Sequence, residues 1–136
     1  MTRRTLSGLV VLFCFWSGCE QKHPPVPASP PDHTYVLKGQ VTGLPNPPKQ
    51  FLRIHHEAVP EFIGRDGKPQ PMDEMEMEFP FLSPKAQTEL KSIQLNDLVR
   101  ATLEIRWKSD EPFLITSIEK LPPGTDLKLG PIKTEP

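Results

Sequence analysis

Beyond residue 19 the chain has no cysteine; its two cysteines are Cys14 and Cys19. Disulfides and thiolate metal sites are therefore excluded from everything downstream. A basic stripe interleaved with stacking aromatics is also missing, which argues against nucleic acid as a partner. Setting aside Arg3 and Arg4, 14 of the 16 basic residues remain against 17 acidic ones, so the rest of the chain is mildly acidic. No nucleophile with an oxyanion-stabilising pattern accompanies the acids, and an enzyme is not expected. There is no internal repeat. Long apolar runs are lacking too: Leu9–Trp16 is too short to span a bilayer.

That short run follows Arg3 and Arg4, and residues 1–19 read as an export signal to be set apart from the fold. Its end, Ser17-Gly18-Cys19, resembles a bacterial lipobox, with Trp16 where Leu is usual. The resemblance implies lipidation of Cys19 and a lipid-anchored protein of the bacterial cell envelope. Residues 20–33 are proline-rich and poor in large apolar side chains, as expected of an extended tether. His23 and His33 lie in it as solvated residues.

Five strands are expected in the remaining 34–121, with 122–136 a flexible tail by composition. They are Tyr35–Val41, Gln50–His56, Met72–Phe81, Leu98–Trp107 and Phe113–Leu121. Between the third and fourth, Ser83 as N-cap and Pro84 at the first helical position start a short helix. Such an all-β chain with one helix suits a small five-stranded, OB-fold-like barrel.

Chemistry concentrates in His55–Phe81. Every methionine after Met1 falls here, at Met72, Met75 and Met77. Strand alternation puts Met75, Met77, Phe79 and Phe81 on one face and Glu74, Glu76 and Glu78 on the other. By the same alternation His56 shares the apolar face of Leu52 and Ile54, while His55 lies with Arg53 and faces solvent. One imidazole with two or three thioethers is a soft donor set, suited to Cu(I) or Ag(I) and poorly to Mg²⁺ or Ca²⁺. Zn²⁺ is a weaker candidate, through His55, His56 and Glu57. The competing explanation is that the methionines only fill a core. The glutamates are most simply a solvated face.

The matches IHHE (Ile54–Glu57), MDEMEMEF (Met72–Phe79) and LNDLVRATLEI (Leu95–Ile105) resemble the CusF-like periplasmic copper/silver-binding domains. The resemblance implies a five-stranded OB fold and metal held by His56, Met75 and Met77. A tryptophan that covers the metal in that family corresponds to Met72, which the resemblance makes a possible third sulfur ligand. Asn96 stands where the family usually has Gly, and the loop between His56 and Met75 is longer. The implied role is a monomeric metallochaperone or buffer, passing copper to an efflux system or a cuproenzyme. A metal-free barrel serving as an envelope interaction or structural module is the alternative.

Overall fold

The computed structural model describes residues 29–46 and 51–132. The export signal, Cys19 and most of the expected tether lie outside the described residues. Five strands form one antiparallel sheet in the order β3-β2-β1-β4-β5. They are β1 (His33–Gly43), β2 (Leu52–His56), β3 (Met75–Phe79), β4 (Leu98–Ile105) and β5 (Phe113–Lys120). The single helix among the described residues, α1 (Pro84–Leu90), falls between β3 and β4.

The mostly-strand fold with one helix in that place is the expected one, but the sheet does not close. Its ends approach through one parallel bridge, Leu82 to Ile115. There Ser83 N donates to Ile115 O at 2.9 Å and Ile115 N to Phe81 O at 3.2 Å. The architecture is thus barrel-like only loosely.

Strand β1 begins earlier than alternation suggested. Asp32 Oδ2 accepts the Trp107 amide at 2.7 Å, and His33 starts the strand, its ring centroid 6.1 Å from that of Tyr35. Residues placed in a tether therefore belong to the fold.

Inward positions follow period two on β1 (Tyr35, Leu37, Val41) and β4 (Val99, Ala101, Leu103, Ile105), all buried. On β5 the period breaks. Leu103 pairs with Ile115 but Thr102 with Ser117, so Thr116 is an extra residue. This bulge turns both Ile115 and Ile118 inward, although they are three positions apart.

Helix α1 has seven residues, too few to persist alone, and is fastened at both ends. Ser83 Oγ accepts the Ala86 amide at 3.1 Å, and Glu89 Oε2 accepts the Ile118 amide of β5 at 2.8 Å. That amide is the largest influence holding the Glu89 carboxyl below the usual range; desolvation opposes it, and Lys85 adds to it. The loop before β3 folds over one end of the core, where Val59 and Phe62 are buried. Phe62 joins an aromatic row with centroid spacings of 5.2 Å to Tyr35 and 6.2 Å to Trp107. Trp107 meets Phe113 edge-on at 5.6 Å.

One glycine fixes how β1 meets its neighbours. Gly39 pairs with His56 of β2 and Val99 of β4. A Cβ there would stand 2.3 Å from His55 O and 2.8 Å from Ile54 Cγ2, closer than backbone atoms can yield. Gly39→Ala should thus force β1 and β2 apart and lower stability by about 1–3 kcal/mol, as overpacking does. Urea unfolding beside the exposed control Lys38→Ala checks this; equal midpoints would contradict it.

Candidate functional site

The β2–β3 ladder brings the expected donors together. His56 is the Cα partner of Met75, and Ile54 of Met77. Directly opposed residues in an antiparallel pair share a face, and diagonal neighbours lie within reach of long side chains. His56 therefore has Met75 across from it and Met77 on the diagonal. Burial grades along the strand: Met75 is 42% exposed, Met77 is half-buried and Phe79 is buried.

Met72 is held differently. It forms a bridge with Val59, with Val59 N donating to Met72 O at 2.8 Å and Met72 N to Val59 O at 3.1 Å. Its side chain packs against the hydrophobic cluster, as that of Met77 does. Three positions before Met75, it does not share that residue's strand phase.

His56 is fully buried. Its Nδ1 lies 2.7 Å from the Glu57 carbonyl oxygen. A carbonyl can only accept, so Nδ1 carries the proton and the neutral ring keeps its lone pair on Nε2. That Nε2 is buried and has no hydrogen-bond partner among the described residues. Leaving such an atom unpaired costs about 1–3 kcal/mol. A ring fixed at one nitrogen by a backbone carbonyl, with the other nitrogen bare, is also how metal-ligating histidines are oriented. The chemistry of the donors thus fits a soft cation, with Nε2 and two thioethers on one face.

Electrostatics agree with a neutral ring. Burial, the largest influence, pushes the His56 pKa below its ordinary 6.5. The hydrogen bond to Glu57 opposes this, neighbouring His55 adds to it, and Glu74 opposes it.

His55 departs from expectation. It does lie on the opposite strand face from His56, but it is only 4% exposed. Glu74 closes over it, His55 Nε2 to Glu74 Oε1 being 2.6 Å. The same carboxylate oxygen accepts the Gly130 amide at 2.7 Å. A segment expected to be a flexible tail therefore lies against the outer face of β2 and β3. Lys128 N likewise donates to Glu57 Oε1 at 2.7 Å. His55, Asp73, Glu74, Met75 and Glu76 face Gly130, Pro131 and Ile132 across a surface pocket.

Sequence reasoning missed Glu57 as the group orienting the imidazole, and it missed Glu74 as the cover of His55. No motif signals a backbone carbonyl's role. The alternation of Leu127 and Leu129, both half-buried, was the available sign that residues after 121 pack. Among the described residues no group of three or more His, Cys, Asp and Glu is placed to hold a metal ion. A cation here would draw on thioether sulfur.

The depressed pKa makes a stability prediction. Unfolded His56 takes a proton near pH 6.5 and the folded protein resists it, so the unfolded chain binds more protons below that point. Stability should fall as the pH drops from about 7.5 to about 5. Urea midpoints across that range should decline, and His56→Gln should flatten the decline. A flat wild-type profile would contradict the burial argument. Compared with known proteins, the chain matches no family model, no curated protein and no solved structure, so what the site does must be argued from its own donors.

Proposed function

We propose that this protein binds one Cu(I) or Ag(I) as cargo through His56 Nε2 and the sulfurs of Met75 and Met77. It acts in the bacterial envelope as a metallochaperone or buffer rather than an enzyme. The observation that carries the proposal is the bare, buried Nε2 of His56, opposite Met75 and diagonal to Met77. The resemblance to the CusF-like domains names the same three residues.

The left-handed backbone of Asn96, φ 71°, supports that alignment. Glycine and asparagine are the residues that adopt this conformation most readily, which accounts for Asn where those domains usually have Gly. The resemblance offers Met72 as a further sulfur, but it pairs with Val59, three positions before Met75 and out of that residue's strand phase, which favours a structural role. Trp107, set between Phe62 and Phe113, belongs to the aromatic row.

Thioethers bind without releasing a proton, so only the imidazole brings proton competition. Burial of His56 moves that competition below the ordinary histidine range. Transfer would proceed by ligand exchange, with an efflux system or a cuproenzyme as recipient. No helix among the described residues is long and apolar enough to cross a membrane; in this reading the anchor is lipidated Cys19.

The metal-free alternative, an interaction or structural module, draws support from the packing of Met72 and Met77 on the core. A Cu(I) titration of the purified protein against a chromophoric chelator separates the two. Wild type should take up one equivalent, Met75→Leu/Met77→Leu none, and Met72→Leu one. Leucine for methionine costs under about 1.5 kcal/mol, so the fold should survive in all three. Failure of wild type to bind would leave the structural module standing.

A further inference from the structure

The ladder between β2 and β3 is interrupted just past the donor pair. His56 pairs with Met75 and, further out, Val59 with Met72. The intervening positions, Glu57 with Ala58 and Asp73 with Glu74, belong to no strand. Each side of this gap holds one backbone amide of the C-terminal segment. Glu57, on the β2 side, accepts the Lys128 amide; Glu74, on the β3 side, accepts the Gly130 amide. The two carboxylates stand opposite one another in the continuing register, so the segment spans the gap as a clasp.

Three further features make the clasp a built one. Leu121 N donates to Leu98 O at 2.7 Å, anchoring the segment's start beside β4. Gly124, with φ 81°, turns the chain, and Thr125 N closes that turn on Pro122 O at 3.2 Å. Glu74 Oε1 also takes the His55 ring nitrogen, so one oxygen joins β2, β3 and the clasp. A Cβ on Gly130 would lie 3.3 Å from Glu74 Oε2, close enough to crowd the carboxylate that receives its amide.

Strand β3 is five residues long and at the edge of the sheet. Its N-terminal end carries Met75, which contributes to the same pocket wall as Gly130, Pro131 and Ile132. That end is held by its pairing with β2, by the Val59–Met72 bridge beyond the gap and by the clasp. Hydrogen bonds to carboxylates are the stronger kind, and their loss frees a short edge strand to fray.

We propose that residues 122–132 form a clasp that holds Met75 against His56 when Glu57 and Glu74 are latched, and that releases the bound metal when it lifts. The proposal rests on the Cu(I)/Ag(I) site described above and assigns that site its regulation. Binding and latching stabilise the same arrangement of β2 and β3, so each must favour the other.

The test follows Ag(I) release from the full chain to a competing chelator by stopped flow. Lys128→Pro/Gly130→Pro removes both amide donors without altering the donor strands, and a chain ended after Thr125 removes the clasp. Both should still bind one equivalent and release it about tenfold faster, as expected for losing charge-assisted hydrogen bonds. Release at the wild-type rate, with one equivalent still bound, would overturn the clasp and leave the metal site intact. Absence of Ag(I) binding by wild type would overturn both. Amide hydrogen exchange in wild type gives a reading that needs no variant. Ag(I) should slow exchange at Lys128 and Gly130, and unchanged protection on loading would also overturn the clasp.

Discussion

At Gly39 the neighbouring strand comes so close that no side chain fits, and the rest of this structure depends on that constraint. Through it β1 reaches His56 on one side and Val99 on the other. Because Gly39 has no side chain, the backbone of His55 can lie where a Cβ would be. The register of β2 is fixed by that contact, and the register of β2 fixes that of β3. Had β2 slipped by one residue, His55 rather than His56 would face Met75's side of the sheet. The choice between two adjacent histidines is thus made on a neighbouring strand.

Once inside, His56 is held by opposing demands. Burial favours the neutral ring, and the Glu57 carbonyl decides which nitrogen keeps the proton. Together they leave on Nε2 a buried lone pair with no hydrogen-bond partner among the described residues. His55 receives the opposite treatment one residue away, capped by a carboxylate. Two identical side chains in sequence become one engaged polar group and one open donor, and alternation on a strand is the cause.

Much of this was legible in the sequence. Period-two patterning located all five strands, and Ser83-Pro84 located the helix. The placing of His56 on the inward face with Leu52 and Ile54 followed from the same alternation. The errors came from interactions that patterning does not encode. His55 seemed solvent-facing because its cover comes from Glu74 and from residues far along the chain. The residues after 121 seemed free because proline and glycine dominate their composition, while the fastening is done by backbone amides that any sequence supplies. The inward turn of Ile118 depends on a bulge, and a single extra residue leaves no mark in a local pattern. The sheet's failure to close likewise reflects the meeting of distant strand ends.

Strand β3 has a consequence for how copies of this protein meet one another. It is a terminal strand of the sheet, and unpaired strand edges invite pairing with another molecule. Here the outer face of that strand carries Glu76 and Glu78, and Arg53 approaches Glu76, at 3.5 Å. That contact is solvent-exposed and weak. Two copies approaching edge to edge would set one row of carboxylates against another. The acidic comb that at first suggested only a wet surface therefore disfavours pairing of this edge with a second copy of the same strand.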